Sequence, residues 1–407
     1  MPGGAPPRAR FAPVVRDIGT FVQASPLSFR TRSGRARLYQ LALAAALIAL
    51  AIGAAITTRH NLEARQIRSG FGFLAEPAGF DIGEGPVPYT PQDSYLWAFL
   101  AGLGNTLRVA AAGVVLSTLL GTVIGLGRLS RNALARWLCT AYVEVLRNVP
   151  LLVQLFAWYI SVTELLPDAA NPIRLLPHVY LSKSGLAYPT PVWARGWAFA
   201  LAGLPLGLAA TWALFRWARA RRERTGHTPQ VRWAALVVFL AIPALGWAIG
   251  GAPRALDVPE VTPFNVAGGG GVTPEFLALL LGLVGFTAAY VAEIVRSGVL
   301  AVPHGQTEAA AALGLTRRQA LRLVLLPQAL RVIVPPLTSQ YLNLTKNSSL
   351  AVAIGYPDLV SIANTAINQN GQALECIVII MGVYLFVNLV TALGMGVYNR
   401  RVALVER

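Results

Sequence analysis

The chain has 407 residues, 55% hydrophobic and only 13% charged, with a mean hydropathy of +0.55. Soluble domains carry about 25% charged residues, so this composition excludes an ordinary water-soluble domain and places most of the chain in lipid. The formal net charge of +16 lies mainly on arginines in short runs between apolar segments. That is how cytoplasmic loops of membrane proteins are patterned, and it argues against nucleic acid as a partner.

A helix needs roughly 20 apolar residues to cross a bilayer, and eight segments qualify in chain order. A tail, 1–37, carries Arg8, Arg10, Arg16, Arg30, Arg32, Arg35 and Arg37. The first span, 38–57, starts too far in and lacks a small-residue cleavage site, so it reads as a permanent anchor. A long loop, 58–95, separates it from the second span, 104–127, where Ser117, Gly121 and Gly125 recur every fourth residue and predict close helix approach. The remaining spans are 150–166, 197–215, 233–250, 276–302, 337–356 and 374–398. Polar residues interrupt the third and seventh, so the count lies between six and eight. Arginines mark alternate loops: Arg128, Arg131 and Arg136; Arg219, Arg221, Arg222, Arg224 and Arg232; the stretch 307–327; and Arg400, Arg401 and Arg407. The positive-inside rule then puts both termini and these loops in the cytoplasm, with 58–95, 167–195, 251–273 and 357–373 outside.

Several features carry no chemistry of their own. Cys139 and Cys376 lie in apolar surroundings and read as buried small hydrophobes. His60, His178, His227 and His304 share no metal-ligand spacing. The glycine run 268–271 is not followed by Lys-Ser or Lys-Thr, and Gly-x4-Gly-Lys-[Ser/Thr] occurs nowhere, so nucleotide hydrolysis would need a separate subunit. Charges inside spans must pair, reach an interface or line a polar path. Glu144 with Arg147, and Glu293 with Arg296, are spaced three apart and predict pairing within a helix. Lys346, with Asn343, Asn347, Ser348 and Ser349, forms the polar patch that best marks a translocation path. Glu375, near the outer surface, is equally compatible with solvation and with a function.

The stretch 307–327, TEAAAALGLTRRQALRLVLLP, has the punctuation of a helical hairpin. Glu308 sits where a negative charge favours a helix N-terminus. Residues 309–313 are strong helix formers, and Gly314 supplies a left-handed stop. Thr316 and Gln319 form a capping box for a second helix, expected to end at Pro327. On that helix Ala320, Leu321, Val324 and Leu325 share one face, away from most of the arginines. Two readings remain open on these grounds: an interfacial hairpin, or a helix offered to a groove on another protein.

The spacing of Glu308, Ala309, Ala310, Gly314, Val324, Leu326 and Pro327 resembles the EAA signature of ABC importer permeases, with Val324 where that family often has Ile. The likeness extends to GNTLRVAAAGVVLSTLLGTVIGLGRLS (104–130), YVEVLRNVPLLVQLFAWY (142–159, with Val149 where Thr is usual), AAYVAEIVRSGVLAVPHGQTEAA (288–310) and LTKNSSLA (344–351), all similar to polar-amino-acid permeases. The loop 61–95 resembles that of the broad-specificity general L-amino-acid permeases. The resemblance implies an all-α integral membrane protein with the type I ABC importer transmembrane domain over 96–400. It has a five-helix core, added spans including an insertion at about 196–250, a coupling loop at 303–335 and a cytoplasmic tail at 401–407. It implies alternating-access import of polar or general L-amino acids across the inner membrane. No cofactor would be bound by this chain; ATP and Mg would sit on a partner ATPase dimer seated on the EAA loop. A second, similar permease and a periplasmic amino-acid-binding protein complete the expected partners. A proton-coupled secondary transporter is the alternative, although inverted repeats and midplane carboxylates are not evident. A membrane enzyme ranks last, for want of a catalytic cluster.

Overall fold

A computed structural model describes residues 32–64, 69–226 and 231–402. The expectations for Arg8, Arg10, Arg16, Arg30, His227 and Arg407 fall outside those residues. The contacts divide the chain into two units, Met1–Ser69 and Gly70–Arg407. In the first, α1 (Arg32–Ala64) contains a 21-residue apolar stretch, Leu38–Thr58, long enough to cross a membrane.

The second unit is built on α2 (Tyr95–Gly127) and α7 (Pro274–Leu300), and α7 is the most buried of the candidate spans. Their contact explains the four-residue repeat of small side chains. A Cβ on Gly121 would lie 2.6 Å from Val291 Cβ and 2.7 Å from Ala288 O; one on Gly125 would lie 2.7 Å from Ala292 O. The two backbones therefore touch, which maximises dispersion contact where the hydrophobic effect offers helices nothing. Ser117, on the same face, is fully buried. Around this pair pack α3 (Ala133–Asn148), α4 (Leu151–Ile160) and α10 (Leu326–Asn347). At the far end lie α11 (Leu359–Asn370) and the start of α12 (Ala373–Val402).

The span expected at 150–166 is only one limb of a broken one. The helices α3 and α4, the latter continuing as a π-turn through Ser161–Leu165, meet at 106°. Pro150 forces the break: the residue before a proline is driven out of the helical region, and Val149 is extended, with φ −89 and ψ 127. The carbonyls left open at the end of α3 are satisfied by Gln154, whose amide donates to Leu146 O at 2.8 Å and Val149 O at 2.9 Å. Among the described residues seven helices are long and apolar enough to cross a membrane, or eight if the bent pair counts as one span.

The inserted helices α5 (Arg195–Thr225) and α6 (Arg232–Ile249) pack chiefly on each other. Glycines again permit it, since a Cβ on Gly246 would sit 2.6 Å from Phe199 O. The loops flanking this insertion carry short strands. Strands β1 (Ile173–Leu176), β2 (Val179–Ser182), β3 (Gly185–Tyr188) and β8 (Gly270–Val272) form an antiparallel sheet in the order β1-β2-β3-β8. Two ribbons accompany it: β4 (Thr190–Pro191) with β5 (Leu256–Asp257), and β6 (Glu260–Val261) with β7 (Val266–Ala267).

The segment 70–94 crosses the same end of the bundle as a strap. Phe73, Ala78 and Ile82 join Phe99, Leu359 and Ile362 in one apolar cluster. Glu375, read as solvated or functional, is buried and accepts from Gly70 N at 2.6 Å, so it anchors the strap. Asn105, fully buried, donates to Glu84 O at 3.0 Å and to Pro357 O at 2.9 Å. Next to it Asp358 caps α11, its Oδ1 accepting from Ser361 N at 2.9 Å while Oδ2 is buried without a partner.

Two outcomes are expected. Gly121→Ala should lower the thermal midpoint in detergent, at a cost of about 1–3 kcal/mol for overpacking. Gly382→Ala, where a Cβ meets nothing within 4 Å, should leave it unchanged; equal midpoints would refute the close packing. Burial pushes the Asp358 carboxyl from 3.8 up to about 7. A carboxyl whose folded pKa exceeds its unfolded one contributes fully below the unfolded value and loses that contribution as pH rises through the folded one. The midpoint should therefore fall as pH rises from about 4 to about 7 and level off above, and Asp358→Asn should flatten that decline.

Candidate functional site

The stretch singled out by its punctuation folds as a hairpin between α7 and α10. Its first helix, α8 (His304–Ala312), begins earlier than expected, directly after Pro303, which is still extended with φ −59 and ψ 141. Glu308 is therefore not in the first turn. It is exposed and meets His304 Nδ1 one turn back at 3.2 Å. Ala309 is exposed, whereas Ala310 is buried. The helix ends in a Schellman motif, with Leu315 N donating to Ala310 O at 3.1 Å and Gly314 N to Ala311 O at 2.9 Å. Gly314 has φ +72, and a Cβ there would touch nothing. It is required for its backbone conformation, not for space.

The second helix starts on the expected capping box: Thr316 Oγ1 accepts from Gln319 N, and Thr316 N donates to Gln319 Oε1 at 2.9 Å. It does not stop at Pro327. The short α9 (Arg317–Ala320) passes through a π-turn, Leu321–Leu325, straight into α10, giving one candidate span over Arg317–Ile354. The π-turn removes the conflict with proline. Its bonds reach five residues back, Leu326 N to Leu321 O, and Pro327 sits in the first turn of the resumed α-helix, where no N–H is needed. The same turn breaks the expected apolar face. Ala320 is buried and Val324 and Leu325 half-buried, but Leu321 is exposed, because π geometry rotates each later residue away from the α register. Leu326 is exposed and Pro327 half-buried. A side-chain bond of 3.0 Å from Gln328 to Gln306 closes the base. Beyond it project Leu313, 79% exposed, Leu323 at 62% and Leu321, beside exposed Arg317, Arg318 and Arg322. The hairpin is thus an ordered element with apolar side chains unburied by its own chain.

The five residues of the expected polar path do not stay together. Asn343 and Asn347, one turn apart on α10, line a recess of about 270 Å³ with Gln340 and with Phe286, Thr287 and Tyr290 of α7. Lys346 is exposed and does not line it. Ser348 is fully buried, donating to Thr345 O at 2.7 Å, and Ser349 donates to Lys346 O at 2.7 Å. Gln340, Thr287 and Tyr290 were not anticipated. The amides at 340, 343 and 347 share a face at three- and four-residue steps, a signal readable in the sequence; Thr287 and Tyr290 offer none.

The intramembrane charges are also rearranged. Arg147 does not pair with Glu144; its guanidinium stacks over the Tyr290 ring, 5.1 Å from the centroid. Arg296 pairs with Glu293 as expected, at 3.2 Å, but Glu293 also accepts from Arg128 at the end of α2. No group of three or more His, Cys, Asp or Glu able to hold a metal ion occurs among the described residues.

Residues 113–404 match the family described as binding-protein-dependent transport system inner membrane component. The general L-amino acid transport system permease protein AapQ of Rhizobium johnstonii is 44% identical over 92% of this chain and 93% of its own length. The putative amino-acid ABC transporter permease protein YhdX of Escherichia coli is also 44% identical, over 94% of this chain and 97% of that one. The glutamate/glutamine/aspartate/asparagine permease protein BztB of Rhodobacter capsulatus is 37% identical, over 85% and 88%. A crystal structure of an amino acid ABC transporter with histidines has a TM-score of 0.45 and 22% identity, covering 75% of this chain and 95% of that one. With two long relatives at this identity and a family match across most of its length, the chain belongs to the inner-membrane components of binding-protein-dependent transport systems, the membrane-spanning permeases of ABC transporters.

Proposed function

We propose that this chain is a permease subunit that imports polar or general L-amino acids across the inner membrane by alternating access, driven by ATP hydrolysed on a separate ATPase dimer. The observation that carries this reading is the hairpin 303–325: capped at both helices, closed at its base, and presenting unburied leucines between the central helix α7 and α10. Such a peg suits a groove on a soluble neighbour. With the arginine-rich loops inside, that neighbour is cytoplasmic, as are both termini. The names of the relatives support the substrate class. On the opposite face a periplasmic amino-acid-binding protein delivers substrate. A second, similar permease completes the path, each copy offering its hairpin to one ATPase subunit. Nucleotide shifts the membrane helices only through its different affinity for their inward- and outward-open arrangements.

Within the membrane, the recess between α7 and α10 is the part of this chain that fits a translocation path. The polar side chains that line it are neutral amides and hydroxyls, with which a polar solute can exchange hydrogen bonds, and the Arg147 guanidinium stacks on the Tyr290 ring.

Gly314→Val should leave the protein inserted but weaken capture of the ATPase, because a β-branched residue in left-handed conformation costs about 1–2 kcal/mol. That corresponds to roughly tenfold in affinity. Undiminished co-purification of the ATPase with normal uptake would contradict the coupling role. Asn343→Leu with Asn347→Leu should reduce amino-acid uptake while ATPase capture stays at the wild-type level. Uptake unchanged by the pair would remove the recess from the path, and uptake surviving with ATP depleted but the proton gradient intact would favour a secondary transporter.

A further inference from the structure

The ion cluster on α7 has a geometry that the pairing of Glu293 with Arg296 does not explain. Those two residues lie on one helix, three apart. Glu293 is bonded at the same time to Arg128, the residue that caps the C-terminus of α2. The side chain of Arg128 is only 9% exposed, against 30% for Glu293 and 34% for Arg296. The Nε atoms of both arginines are buried without partners, so one carboxylate serves two guanidiniums. Only Arg128 is well buried, so the pair is partly screened, and losing one partner costs more than at a fully exposed site. Arg128 is also favoured at a helix C-terminus, where open carbonyls carry negative potential.

Position gives the cluster its meaning. In the last two turns of α2, Gly121 and Gly125 hold it against α7 by backbone contact. Glu293 lies between Ala292 and Val295, the residues Gly125 meets, and Arg128, just past Gly125, ties to it there, in the part of α7 that leads into the hairpin. From Glu293 the chain runs to Leu300, then through residues 301–303 into α8. On its other side this end of α7 is seated on α10, where a Cβ on Gly298 would fall 2.2 Å from Ile333 Cγ1. Hairpin, α7 and α10 are thus continuous or tightly packed; α2 meets the same end of α7 through Gly125, against Ala292 and Val295, and through the ion pair, the polar tie between them.

We propose that Arg128 and Glu293 form the strut that carries displacement of the hairpin from α7 into α2, and that Arg296 holds the carboxylate in place without carrying the load. Both are positioning residues; neither need touch substrate. The inference rests on the coupling role given above to the hairpin. It differs from a merely stabilising ion pair in predicting that the cross-helix bond matters to coupling and the within-helix bond does not.

The test uses the whole transporter, reconstituted in liposomes with its ATPase, second permease and binding protein, and reads amino acids imported per ATP hydrolysed. Arg128→Met leaves Glu293 paired with Arg296, so no carboxylate is stranded. It should lower the ratio about fivefold or more, the scale of an ordinary coupling free energy, while ATPase capture remains that of wild type. Arg296→Met should keep the ratio near wild type. Reversing the pair, Arg128→Glu with Glu293→Arg, should recover part of the loss. Equal ratios for Arg128→Met and wild type, equal falls for both methionine variants, or a fall accompanied by loss of captured ATPase would each overturn the strut. Failure of the hairpin reading is separate: the wild-type chain would not retain the ATPase, whatever residue 128 is.

Discussion

Backbone contact between α2 and α7 is the constraint on which the rest of the second unit depends. Lipid gives helices no hydrophobic reason to associate, so association must come from close approach and dispersion. Gly121 and Gly125 supply it against Ala288, Val291 and Ala292. Once α7 is fixed in this way its other faces are available: α4 covers one, α10 another, and the recess lined by Thr287, Tyr290 and the α10 amides lies between.

That arrangement places the hairpin mechanically. It is joined to α7 through residues 301–303 at one end and, through a continuous helix, to α10 at the other, and these two helices wall the recess. The device that makes the second junction rigid is the π-turn Leu321–Leu325. An α-helix running into Pro327 would lose a hydrogen bond and clash with the preceding turn. The π-turn restarts the helix so that the proline falls in a first turn, and the same adjustment turns Leu321 outward. One local solution thus serves stiffness and surface together.

The far end of the bundle follows a different logic. There a strap (70–94) and a small sheet cover helix ends whose polar groups would otherwise be bare. Buried partners such as Asn105, Asp358 and Glu375 bind backbone atoms of the strap or of the helix starts. The bonds of Asn105 and Glu375 are long-range bonds between loop and helix, and they make the strap part of the fold rather than an appendage to it.

The sequence by itself determined the membrane class, the order of the spans, the small-residue face of α2 and the joints of the hairpin at Gly314 and Thr316. Each of these is local: a run of apolar residues, a four-residue repeat, a left-handed stop, a capping box. Its motifs also carried the family resemblance. Tertiary structure alone decided which polar residues meet. Asn343 and Asn347 line the recess beside α7 while Lys346, Ser348 and Ser349 do not, Arg147 chose the Tyr290 ring over Glu144, and Arg128 reached Glu293 across 165 positions. It also decided the 106° break at Pro150 and the sheet joining loops on either side of the inserted helices. The reason is the same throughout: a helical repeat says which residues share a face, but the partner of that face is set by how the helices pack.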